Sequence, residues 1–290
     1  MAWRLATVTV LLAAVWGCTA PAPVPDPFAR LPPDLTGGVI PGNRVKALLQ
    51  VADAQWRRWG GQVVRIAQDE RVCAVVVGGS CEVVDDGCGQ EQNVAQCPVV
   101  NEYWSFIRRA SGENFNHDCS RTGVCEYRLP SGAQAIKTPA WSAAFLSTIM
   151  HKAGFSPDEF RPSPFHANYV VAARDGATSA YTVVPAPAYV EPADIICTTR
   201  FGDRPQFTPE EIALLTPDSP LTSATPMHCD LVVAVDLSQR RVRAIGGNVM
   251  QSVSLNDIAL DAQGRLSPRV NPLRPWLLVM KLRPELRAGN

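Results

Sequence analysis

Four polar residues interrupt the apolar elements of this chain between residues 142 and 248, and their types suit nucleophilic acyl transfer. Ser142 follows Trp141 in Thr138-Pro139-Ala140-Trp141-Ser142-Ala143-Ala144-Phe145. His228 and Asp230 sit two residues apart in His228-Cys229-Asp230-Leu231-Val232-Val233-Ala234-Val235, and Asn248 closes Ile245-Gly246-Gly247-Asn248. Acyl transfer needs a hydroxyl or thiol, a base within hydrogen-bond reach and a third group that orients the base. Ser142, His228, and Asn248 or Asp230 fill those roles if the strands pack on the start of the segment carrying Ser142. Trp141 and His166 are the candidate substrate contacts, and His166 is also an alternative base. Each residue has a plain structural reading beside it. Ser142 could be a small residue that lets a strand approach, His228 the head of a buried strand, and Asn248 a turn residue at positive φ. His166, in Phe165-His166-Ala167-Asn168-Tyr169, could cap a helix or sit in a core.

The elements that must position these groups follow from pattern. Residues 138–154 read as one helix, with Thr138 as cap, Pro139 in the first turn and Gly154 as left-handed stop. Trp141, Ala144, Phe145, Thr148, Ile149 and Lys152 form its stripe, apolar apart from the last residue. Ser142 then lies where free N–H groups and the helix dipole favour developing negative charge. Helical periodicity also marks Arg44 to Trp59, residues 101–110, and the run from Phe165 to Ala173. Strands are predicted at 72–77, 181–184, 194–199, 228–235, 241–245 and 276–282, with an antiparallel hairpin joining 228–235 to 241–245. Gly246-Gly247-Asn248 is expected to end the second hairpin strand, and His117-Asp118 to lie in a solvated turn. A helix followed by antiparallel strands is an α+β plan.

Composition bounds the partners. The 290 residues carry a formal net charge of zero, which argues against nucleic acid. Arg4 precedes an apolar run from Leu5 to Trp16, too short to span a bilayer and of the length of a signal-peptide core. Val15-Trp16-Gly17-Cys18 resembles a bacterial lipobox, so residues 1–18 are expected to end at a lipidated Cys18. Residues 19–43, rich in proline, read as a tether. An exported protein with eight further cysteines favours disulfides over metal binding, since no pair has Cys-x-x-Cys spacing. Cys119–Cys125 and Cys197–Cys229 are the expected pairs. No phosphate loop, metal-ligand spacing or cofactor motif is present.

The order Trp141-Ser142-Ala143-Ala144-Phe145, Asp194-Ile195-Ile196, His228-x-x-Leu231-Val232-Val233 and Ile245-Gly246-Gly247-Asn248 resembles the CHAP and NlpC-type papain-like amidohydrolases. It resembles more closely an uncharacterised family of bacterial exported proteins in that neighbourhood. The resemblance implies a papain-like α+β domain over residues 44–285, with residues 70–130 as a disulfide-rich insertion. It places serine where those enzymes carry a cysteine, and serine depends wholly on its base and an oxyanion site. The implied activity is cleavage of an amide in peptidoglycan. The lipobox at Cys18 makes a periplasmic lipoprotein the expectation, and Thr19 after it suits the outer rather than the inner membrane. The other implied reading is an inactive papain-like domain that binds an envelope ligand or protein.

Overall fold

The computed structural model describes residues 43–66, 73–77, 80–83, 91, 94–119, 139–199, 208–217, 219–271 and 275–287. The signal peptide with Cys18, the tether up to residue 42, Thr138 and Cys125 lie outside the described residues.

A nine-stranded sheet forms the frame. Its strands are β1 (Gln62–Ile66), β2 (Cys73–Val77), β3 (Ser80–Val83), β4 (Tyr181–Pro185), β5 (Ile195–Thr199), β6 (Met227–Asp236), β7 (Arg241–Val249), β8 (Ser252–Ala259) and β9 (Trp276–Leu282). They are ordered β3-β2-β1-β8-β7-β6-β5-β9-β4. β1 runs parallel to β8, and the other neighbours are antiparallel. The expected hairpin is β6–β7, with Leu231 opposite Ile245 and Asp236 opposite Arg241.

β7 does not end at Gly246. It continues through Gly247 and Asn248 to Val249 and turns directly into β8, a strand that the sequence pattern misses. Asn248 has φ +55, as its turn reading requires, and Met250 and Gln251 at the tip are left-handed too. The two glycines are dictated by packing. A Cβ on Gly246 would overlap the Asp230 carboxylate, and one on Gly247 would come 2.5 Å from Phe145 Cβ. Only a side chain without Cβ lets β7 approach both β6 and the helix above it.

The helices are α1 (Arg44–Arg58), α2 (Cys97–Ser111), α3 (Ser142–Lys152) and α4 (His166–Arg174), with short α5 (Pro209–Ala213), α6 (Pro220–Ala224) and α7 (Pro284–Arg287). α3 begins at Ser142, later than the sequence pattern suggests, with Trp141 at its N-cap and no side-chain cap. It ends as expected, with Gly154 left-handed at φ +87. Residues 142–150 are all buried, so α3 is enclosed rather than amphipathic. Trp141 stacks on Trp59 at 5.1 Å and on Tyr103 at 5.7 Å, and Tyr103 meets Phe145 edge-on at 5.6 Å. Fully burying aromatic side chains of this kind stabilises a fold by about 2–3 kcal/mol each. This cluster fixes where α3 starts.

Two sequence expectations are corrected near α2. The helix spans Cys97–Ser111 rather than 101–110, and its Tyr103, Trp104 and Ile107 join the same core as α3. Cys119 pairs with Cys97, not with Cys125. A cysteine in the first turn of a helix was available to staple the returning chain, which spacing alone does not reveal. Cys197 and Cys229 are directly opposite on β5 and β6 and form the other expected disulfide. The result is a mixed α+β protein. Among the described residues, no helix is long and apolar enough to cross a membrane.

Candidate active site

The start of α3 meets the start of α4, and the meeting point is polar. Ser142 Oγ lies 2.6 Å from His166 Nε2. On the other edge of the imidazole, His166 Nδ1 is hydrogen-bonded to Tyr169 Oη. The helix dictates that second contact, because residues three apart in α4 share a face. In the tautomer that carries its proton on Nδ1, His166 donates to the phenol oxygen and its Nε2 accepts from the Ser142 hydroxyl. All three side chains are buried, with Ser142 1 % and His166 4 % exposed.

A second polar group lies alongside in the sheet. His228 Nε2 is 2.7 Å from Asp230 Oδ1, and the other carboxylate oxygen accepts from Asn256 Nδ2 at 2.5 Å. A carboxylate only accepts, so Nε2 of His228 carries a proton. Asp230 is fully buried, and the absent Cβ of Gly246 makes room for it. The His228 ring meets the His166 ring at 5.5 Å between centroids and 65° between planes. The two groups are therefore one site with two imidazoles.

The first turn of α3 completes the geometry. The first intrahelical bond runs from Phe145 N–H to Trp141 C=O, and the N-cap residue Trp141 makes no side-chain cap. N–H groups at a helix N-terminus stabilise an oxyanion. A cavity of about 310 Å³ opens here, with Ser142 and His166 in its wall beside Trp104, Phe115, Phe165 and Met227.

The structure thus brings together Ser142, His166, His228 and Asp230 from the sequence-derived set. Asn248 lies in the β7–β8 turn region, and the amide that holds Asp230 is Asn256. Trp141 is fully buried in the core, its indole N–H donating to Glu91. His117, expected in a solvated turn, is 1 % exposed and lies 3.8 Å from that same Glu91. The turn is drawn inward because Asn101 binds the backbone of His117 on both its N–H and its C=O.

Sequence reasoning missed Tyr169, Asn256 and Glu91. Tyr169 had a usable signal, since it lies three residues from His166 in a helical run. Asn256 and Glu91 had none, because their partners are distant in sequence. Among the described residues, no group of His, Cys, Asp or Glu could hold a metal ion.

Fold and site together define an α+β protein with a hydroxyl–imidazole pair at the head of a buried helix. The chain belongs to the family described as an uncharacterized protein conserved in bacteria (DUF2272), whose model matches residues 91–282. That match spans both polar groups and the cavity wall. No curated protein and no solved structure matches the chain.

Proposed function

We propose that the protein is a hydrolase of amide bonds in the bacterial cell envelope, with Ser142 as nucleophile and His166 as its base. The observation that carries this reading is the 2.6 Å approach of Ser142 Oγ to His166 Nε2 in a cavity wall. Ser142 Oγ attacks the carbonyl carbon, and its proton passes to His166 Nε2. Tyr169 Oη holds His166 Nδ1 and thereby the orientation of the ring. The oxyanion is stabilised by first-turn N–H groups of α3. His166 then donates its proton to the leaving amine, the C–N bond breaks, and an acyl-serine remains. Water attacks that ester, giving its proton to His166, and Ser142 regains its hydrogen as the acid leaves. His228, held by Asp230 and Asn256, faces the imidazolium edge-on and fixes the electrostatics of the site.

The papain-like order of Ser142, His228 and Asn248 along the chain assigns the base to His228, whereas here the imidazole hydrogen-bonded to the hydroxyl is that of His166. The signal-peptide and lipobox pattern ending at Cys18 supports placement in the periplasm on a lipid anchor, with peptidoglycan as the substrate.

A second reading is favoured by the closure of the polar network: Ser142 and His166 are buried and hydrogen-bonded, as in a non-catalytic fold that binds an envelope ligand or partner. One experiment separates them. Protein lacking residues 1–18 is incubated with purified peptidoglycan beside Ser142→Ala and Ser142→Cys forms. Release of fragments by the native protein and not by Ser142→Ala supports hydrolysis. Release by the cysteine form alone identifies a disarmed hydrolase, and release by no form sinks the catalytic reading.

A further inference from the structure

The wall of the cavity beside Ser142 has a chemical bias that the hydrolase reading leaves unused. Trp104 and Phe115 pack with ring centroids 5.1 Å apart, and Phe115 meets Phe165 edge-on at 6.0 Å. These three rings line the cavity together with the 223–227 stretch, which contributes Thr225 and Met227. Among the described residues, no charged side chain lines it. Its polar atoms belong to hydroxyls, backbone and the His166 imidazole, which the reaction itself engages. Thr225 Oγ1 is already committed to Leu221 C=O.

Such a cavity discriminates by desolvation. A carboxylate or ammonium entering it would give up water and meet no Asp, Glu, Lys or Arg among the described residues that line it. An apolar or aromatic group loses only unfavourable hydration and gains ring contacts. The volume, about 310 Å³, falls at the small end of ligand sites and suits one residue-sized group rather than a sugar chain.

The wall is also held in place from outside. Phe115 lies on the segment returning from α2, and that segment is tied by the Cys97–Cys119 disulfide and by Asn101. A wall fixed at both flanks is pre-organised, which favours selection by shape over adaptation.

We propose that this cavity is the specificity subsite of the enzyme, and that it takes an uncharged apolar side chain flanking the scissile amide. Phe115 and Phe165 are the specificity-determining residues. Saying that the occupant flanks the reacting bond rests on the Ser142 hydrolase reading. The binding preference itself does not.

The test uses the full chain held in lipid nanodiscs and carrying Ser142→Ala, so that binding is read without turnover. Isothermal titration calorimetry compares N-acetyl methylamides of phenylalanine, leucine, glutamate and lysine. The phenylalanine and leucine compounds should bind at least about tenfold more tightly than the charged pair. Phe115→Ala should weaken the phenylalanine compound by about tenfold. Thr225→Lys, which puts a cation in the wall, should raise affinity for the glutamate compound and leave the leucine compound no better. Equal binding of charged and apolar compounds, or no response to either substitution, overturns the proposal. Turnover of the same compounds by the native chain is measured separately. Selective binding without turnover leaves the subsite standing and the hydrolase reading fallen; turnover without selectivity does the reverse.

Discussion

The two imidazoles of the site are held in opposite ways. His166 sits at the head of a nine-residue helix, its partners a hydroxyl and a phenol, and it lines a cavity. His228 sits inside a central strand, its partner a fully buried carboxylate that is itself clamped by an amide and fitted against a glycine. The first arrangement holds no carboxylate and is one helical turn deep. The second contains a charge taken out of water, which persists only because each polar atom around it is placed by the sheet. In the proposed hydrolase, position relative to the hydroxyl, and not the strength of the pairing, selects the base, and the better-anchored histidine is assigned the role of scaffold.

That contrast can be broken from either side. The largest expected effect is on stability at the sheet cluster. Asp230→Ala leaves His228 and Asn256 without their buried acceptor and should cost about 3–5 kcal/mol in urea unfolding. A loss under about 1 kcal/mol would mean the cluster is not the rigid half. Gly246→Ala attacks the same cluster by volume. Its methyl group would collide with the Asp230 carboxylate, and a cost of about 3 kcal/mol is expected for such overpacking.

The helical cluster should respond in activity instead. Tyr169→Phe removes one hydrogen bond to His166, and about 1 kcal/mol of stability with it. Turnover should fall about tenfold, through kcat rather than KM. Equal damage to folding and turnover would erase the distinction drawn between the two groups.

The smallest effect serves as a control away from both. Arg58 and Glu102 form a two-pronged ion pair at 2.7 Å on the surface between α1 and α2. The guanidinium holds the Glu102 carboxyl below its usual range through that hydrogen bond. A carboxyl depressed in the fold contributes stability above its unfolded pKa, and that contribution is lost as pH falls through the folded value. The pair is half-exposed, so Arg58→Ala should cost under about 1 kcal/mol at pH 7 and nothing near pH 2.

How much of this was legible in the sequence follows the same division. Elements with one clear period were readable: α1, the end of α3, α4, and strands β5, β6 and β9. The strand β8 was not, because Ser252, Ser254, Asn256 and Asp257 leave only Val253, Leu255 and Ile258 as large apolar residues, divided between two faces that are both buried. Buried serines and an amide read as loop until their partners are known. Ser254 donates to Val249 C=O and Asn256 to Asp230, neither of which periodicity exposes. The Ser142 helix was legible because its apolar run is long and its stop is a glycine. Its start was misjudged because the aromatic stack on Trp141, not a cap, sets it. The disulfide between Cys197 and Cys229 could be guessed from two strands, whereas Cys97–Cys119 depends on how the chain folds back over α2. At the site, the residue types and the pairing of His228 with Asp230 were readable, and His166 stood only as an alternative base. That it is His166 that approaches the hydroxyl is shown by the fold alone.

The central claim is that Ser142 is a nucleophile activated by His166. The most direct measurement is labelling of the native protein with a fluorophosphonate probe, with the modified peptide located by mass spectrometry. The account predicts a covalent adduct on Ser142, absent from a His166→Ala form that circular dichroism shows to be folded. No adduct on the native protein, or one that forms as fast without His166, would contradict it.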